Sequence, residues 1–191
     1  MSHVWSAEAR GARSRCSAIA VAVSTLVVMA HASTLAQVKP NGSTATSVAA
    51  VNGGRQIITP APSQNDVSYN AFNRFDVNAA GATFANQDVR ARTIVAEVFS
   101  PLPSRIEGPV SVDGPRANLI LANQNGIRVN GASFVNFGSL ALSTGAVSLR
   151  DVHLTPDVSQ RYVDLRTRGG DIQIEAGGLE ANVIRLELNA K

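Results

Sequence analysis

Few residues of this 191-residue chain have the types and spacing that chemistry needs. Of its three histidines, only His153 lies beyond residue 36, and the single cysteine, Cys16, lies before it. A histidine dyad or a His/Cys metal cluster is therefore excluded after residue 36, and a lone histidine in a strand is ordinarily solvated. Asp151, Asp157 and Asp164 are the candidates for a carboxylate pair of the kind that cleaves glycosidic bonds, though nothing in the sequence singles them out. They sit in a charged, turn-like stretch, however, where a solvated face is the better reading. The remaining candidate is a turn rather than a catalytic set: Asn123-Gln124-Asn125-Gly126-Ile127. Asparagine can bond its own backbone there, and glycine accepts a positive φ. Gln124 stands where a turn favours proline, so the local chain is slightly less preorganised. Two roles fit this segment: a self-sufficient structural turn, or an exposed, rigid feature that a partner reads.

The elements that would position this turn begin after a targeting segment. Arg10, Arg13 and Arg15 precede an uncharged, mostly apolar run from Ala18 to Ala30. The run is short for a bilayer span and ends in small residues, Ala30-His31-Ala32 and Thr34-Leu35-Ala36. This predicts a signal peptide over residues 1–36, cleaved after Ala36, and one domain over 37–191. Without Arg10, Arg13, Arg15 and Glu8, the 17 basic and 14 acidic residues fall to 14 and 13. The basic balance thus belongs largely to the leader, and a nucleic-acid or other polyanion partner loses its support. No disulfide can staple the domain, so its stability must come from a repetitive core and backbone hydrogen bonds.

Beyond residue 54, apolar residues recur as doublets separated by one residue. Phe75/Val77, Val110/Val112, Leu119/Leu121, Ile127/Val129, Leu140/Leu142, Val147/Leu149, Val152/Leu154, Val163/Leu165, Ile172/Ile174 and Leu186/Leu188 follow this pattern. Each doublet places two side chains on one face of a short strand. Turn formers such as Asp113-Gly114, Asn125-Gly126, Asn130-Gly131, Gly169-Gly170 and Gly177-Gly178 separate them too closely for helices. A sandwich or barrel would show longer alternating strands. A quota of two inward residues per strand favours a β-solenoid, in which each coil is buried by the next. Phe72, Phe75, Phe84, Phe134 and Phe137 are expected in its core. The polar, turn-rich stretch 37–54 is expected to cap its first coil, whose open edge would otherwise recruit other strands.

Residues Arg116 to Gly145 read RANLILANQNGIRVNGASFVNFGSLALSTG. This stretch resembles the core of the two-partner-secretion, or haemagglutination-activity, domain of the filamentous-haemagglutinin family. That family reads Ala-x-φ-φ-φ-Ala-Asn-Pro-Asn-Gly-Ile (φ apolar), then Asn-Gly-x-x-Phe-φ-Asn and Leu-(Thr/Ser)-Thr-Gly. Gln124 replaces the proline, while Asn130-Gly131, Phe134, Asn136 and Leu142-Ser143-Thr144-Gly145 match. Upstream, Phe72-Asn73-Arg74-Phe75-Asp76-Val77, Ala91 to Val98 and Pro103 to Gly108 resemble its opening coils; downstream, Gly169 to Ile174 and Gly177 to Ala181 resemble later ones. About residues 55–190 are covered. Where many members carry Asn-Pro-Asn-Leu, this chain has Asn86-Gln87-Asp88-Val89.

The resemblance implies an all-β, right-handed, single-stranded parallel β-helix with an N-terminal cap. It implies export across the periplasm to the surface of a Gram-negative cell, through an outer-membrane transporter with periplasmic POTRA domains. The Asn123–Ile127 turn would take part in recognition by that transporter or in nucleating the helix, and host-cell receptors or glycans would be further partners of the assembly. No catalytic group, cofactor or metal is expected. The alternatives from other classes are a secreted β-helix enzyme acting on polysaccharide, and the front of a contact-dependent toxin or haemolysin.

Overall fold

Coil strands of three to nine residues, each ended by a turn, wind the chain into a stack of coils. The computed structural model describes residues 37–191. The expected signal peptide over residues 1–36 and its expected cleavage after Ala36 lie outside the described residues. The chain opens with β1 (Val38–Pro40), β2 (Ser47–Ala50), a single 3-10 turn at Asn52–Gly54 and β3 (Gln56–Thr59). It then winds through β4 (Val67–Phe75), β5 (Ala82–Ala85), β6 (Thr93–Val98), β7 (Ser104–Ile106), β8 (Val110–Asp113), β9 (Ala117–Asn123), β10 (Ile127–Val129), β11 (Ala132–Val135) and β12 (Phe137–Ser143). After an excursion through β13 (Gly145–Thr155) and β14 (Val158–Thr167), it resumes with β15 (Ile172–Ile174), β16 (Leu179–Ala181) and β17 (Arg185–Asn189).

Three sheets wall one core, in the orders β1-β4-β6-β9-β12-β17, β7-β10-β15 and β2-β3-β5-β8-β11-β16. Every ladder in them is parallel except β1 on β4 and β2 on β3. The fold is a right-handed parallel β-helix, the hand that parallel crossovers take. The two antiparallel strands cover the open edges of the first coil, which is the capping role expected of residues 37–54.

Register converts the doublets into columns. Ile94, Leu119, Leu140 and Leu186 stand over one another, and Ala96, Leu121, Leu142 and Leu188 form the neighbouring stack. The inner members are at most 1% exposed, whereas Leu186 and Leu188, on the last described coil, are 46% and 47% exposed. A coil is thus buried by its successor, and full burial of one such leucine is worth about 1.5–3 kcal/mol. At the other end the same columns terminate on Ser68 and Asn70, polar yet fully buried. All five predicted core phenylalanines are buried, with Phe72 edge-on to Phe75 (5.2 Å) and Phe75 stacked on Phe84 (6.1 Å).

One expectation is corrected. Val147/Leu149, Val152/Leu154 and Val163/Leu165 are not rungs of the helix but lie in an antiparallel hairpin, β13 against β14. The two strands run for eleven and ten residues around a Pro156-Asp157 turn, and Val147 and Leu149 pair with Leu165 and Val163. A turn this short returns the chain beside itself, so each strand finds its partner locally and needs no neighbouring coil.

The hairpin is tied to early coils by polar contacts. Glu97 on β6, only 5% exposed, accepts the Val147 N–H at 2.9 Å and the Tyr69 hydroxyl at 2.5 Å. Burial first, and then this bond, push the Tyr69 phenol above its ordinary range. Farther along, Arg161 grips Asp151 through two bonds of 2.8 and 2.6 Å, and Asn65 adds a third at 3.2 Å. The Arg161 bonds hold the Asp151 carboxyl down at about 2. Glu97→Ala is expected to cost about 2 kcal/mol, because it strands a backbone donor and a phenol. Glu97→Gln should cost under about 1 kcal/mol, since an amide can accept from Val147 while donating to Tyr69. Amide exchange at Val147 reports the difference; equal protection in both variants would mean that Glu97 does not hold the hairpin.

Candidate functional site: the Asn123 to Ile127 turn

The turn joins the end of β9 to the start of β10, so its flanks are fixed by two different sheets. Asn123 is 0% exposed and its side chain is fully committed. Its amide donates to the Leu102 carbonyl at 3.1 Å and to Ser104 Oγ at 3.0 Å, and its Oδ1 accepts the Asn125 N–H at 2.9 Å. Asn125 is exposed, but its amide reaches back to the Ser100 carbonyl at 2.7 Å. Gly126 has φ +108°, and a Cβ there would meet the Asp171 carbonyl at 2.9 Å, so both conformation and space demand glycine. Ile127 points into the core at 0% exposure.

The five candidate residues therefore divide. Asn123, Gly126 and Ile127 face inward and bind coils together, and only Gln124 and Asn125 reach the surface. A sequence reading misses the loop that both asparagines hold, residues 99–103 between β6 and β7. The available signal is Pro101 and Pro103 bracketing an apolar residue, Leu102, that belongs to no doublet.

Asn86, in the Asn86-Gln87-Asp88-Val89 stretch, does a comparable job. Fully buried, it accepts the Ala91 N–H at 2.8 Å and donates to the Ala91 and Pro115 carbonyls at 2.9 and 3.0 Å. Asn136, at φ +65°, donates to Val112 and Gly114 carbonyls on the coil before. The carboxylates offered for the alternative chemistry are strung along the hairpin. Asp151, Asp157 and Asp164 lie exposed on the hairpin, Asp151 bound by Arg161 and Asp164 facing Arg150 at 3.7 Å. His153 is exposed beside Ser159 Oγ (2.7 Å). Among the described residues no group of three or more His, Cys, Asp or Glu is placed to hold a metal ion.

Comparison with known proteins points the same way as these turns. The family model of the TPS secretion domain matches residues 36–191. The filamentous hemagglutinin of Bordetella pertussis is 35% identical over 138 residues, covering 63% of this chain and 4% of that protein. The tRNA nuclease CdiA-2 of Burkholderia pseudomallei is 32% identical over 178 residues, covering 82% of this chain and 6% of its own length. A hemolysin of Proteus mirabilis is 33% identical over 118 residues, 51% of this chain and 8% of that one. The chain thus spans less than a tenth of these relatives. Among solved structures, the filamentous hemagglutinin secretion domain superposes with a TM-score of 0.69 at 30% identity, over 80% of this chain and 55% of that one. With its capped parallel coils, its asparagine turns and a match running from residue 36 to the last residue, the chain belongs to the TPS secretion domain family.

Proposed function

We propose that residues 37–191 direct the export of a filamentous-haemagglutinin-like exoprotein by engaging an outer-membrane partner transporter from the periplasm, through that transporter's POTRA domains. The match to a secretion domain over residues 36–191 carries this reading. The fold supports it physically. Each coil gains most of its burial only when the next is laid down, so a chain emerging end-first can fold coil by coil and resist sliding back. The leader delivers the chain to the periplasm and is cleaved after Ala36, and the product resides outside or on the surface of a Gram-negative cell. We assign no catalysis, cofactor or metal to this domain.

The relatives differ in what they are named for. Relatives named as a hemagglutinin, as CdiA nucleases and as hemolysins share this domain, so an adhesin acting on host receptors or glycans and a toxin are both compatible cargoes. Expression of the full chain with and without its cognate barrel tests the proposal. The protein is expected in the medium only when the barrel is present; equal amounts without it would refute the partner requirement.

A further inference from the structure

A stack of coils carries its stability between neighbours, so it can open from either end one coil at a time. The hairpin β13–β14 reaches across several coils instead. It leaves the stack after β12 and rejoins it at β15, with Gly145 and Thr167 paired across its base. Its ties lie far back along the chain. The Val147 N–H donates to Glu97 on β6, 50 residues earlier, and Asp151 accepts from Asn65, which precedes β4 and lies 86 residues earlier.

The wall beneath the hairpin is built to be covered. Alternation with the inward Ile94 and Ala96 turns Val95 and Glu97 outward. Their columns run through Tyr69, Val95, Ile120 and Ala141, and through Ala71, Glu97, Ala122 and Ser143. Val95, Ala71, Ala122 and Ser143 are nevertheless fully buried, and Glu97 nearly so. Every residue of β6 except Thr93 is buried, so this strand is covered on both faces. The outward Arg105 of β7 and Arg128 of β10 are exposed, as a solenoid wall left to solvent should be. The hairpin meets its wall with an apolar face: Val147 and Leu149 pair with Leu165 and Val163, all four are half-buried, and Leu149 and Arg161 border one groove with Val67 and Tyr69.

We propose that the hairpin is a clasp that makes the coils from β4 to β12 open as one cooperative unit instead of peeling from an end. Peeling β12 away drags the base of the hairpin with it, baring Val95 and Ala122 and stranding the buried Glu97 carboxylate. Lifting the segment before β4 breaks the Asn65 tie to the same hairpin. Fraying at one end therefore costs contacts at the other. The inference concerns the folded chain alone and does not depend on the transporter reading.

Native-state amide exchange at increasing denaturant, on the full chain refolded after production, tests it. Amides on β4, β6, β9 and β12 of the wild-type chain are expected to converge on one opening free energy. In a variant whose residues 146–166 are replaced by a two-residue Asn-Gly turn, which the Gly145–Thr167 pairing permits, these values are expected to separate, with β12 opening about tenfold more often than β6. Asn65→Ala/Glu97→Ala keeps the hairpin but unties it, and is expected to separate them in the same order. Graded opening in the wild-type chain, or a single shared value in both variants, would overturn the clasp. Where the shortened chain does not fold, the untied variant decides by the same criterion.

Discussion

Asn70→Ala is expected to lower the free energy of unfolding by about 4 kcal/mol, the largest loss foreseen from any single polar residue here. The side chain is fully buried at the first rung of a column that continues as Ala96, Leu121 and Leu142. Its Oδ1 accepts from Thr46 Oγ1 and from the Ala61 N–H, both at 2.8 Å. Its amide donates to the Ser68 carbonyl, to Ser68 Oγ and to the Val95 carbonyl, each at 3.1 Å. Alanine breaks all five bonds and leaves the buried groups around it without water or partner, at about 1–3 kcal/mol for each group truly stranded. The damage should be local at first. Thr46 and Ala61 are both bonded to this one amide, so amide exchange at Ala61 should accelerate before the coils behind it open. Urea unfolding measures the total; a loss below about 1 kcal/mol would mean that β1 and β2 alone hold the cap.

Asn123→Ala and Asn125→Ala are expected to part company although they stand two residues apart. Asn123 is buried and makes three bonds, so its loss should cost about 3 kcal/mol, whereas the exposed Asn125 makes one side-chain bond and should cost about 1 kcal/mol. Export is expected to follow the same order, because both side chains are spent on holding residues 99–103. Denaturant midpoints and secretion through the cognate barrel, measured on the same variants, check the pairing. Abolished export by Asn125→Ala with an unshifted midpoint would show that the turn itself is read.

The same physics that makes the domain foldable from one end shapes its outer walls. A solenoid buries its apolar doublets between coils, so its walls are polar by construction, and recognition must come from what the coils carry outside. Two such features stand out: the hairpin, tied to the coils by Glu97 to the Val147 N–H and by Asn65 to Asp151, and the loop that the asparagine turn holds. Both are attached by polar hydrogen bonds, Glu97 and Asn123 from buried positions and Asn65 and Asn125 from exposed ones.

How much of this was legible beforehand depended on the range of the interaction involved. Strand positions, the solenoid class, the cap over residues 37–54 and the phenylalanine core follow from period-two doublets and turn residues, which are local properties of the chain. The asparagine turn was visible for the same reason, since Asn-Gly chemistry is written in adjacent residues. Three things were decided only by tertiary structure. Val147/Leu149 and Val163/Leu165 look like any rung, because alternation is the same whether a strand pairs with the next coil or with its own hairpin partner. Inward and outward were undecided for Asn123 against Asn125, since a two-residue spacing would put them on one face of a strand, and only the turn after β9 sends Asn125 outward while Asn123 stays buried. Phe99 and Leu102 had the composition of core residues, and they stand in solvent because Ser100 and Leu102 carbonyls are bonded to asparagines more than twenty residues away.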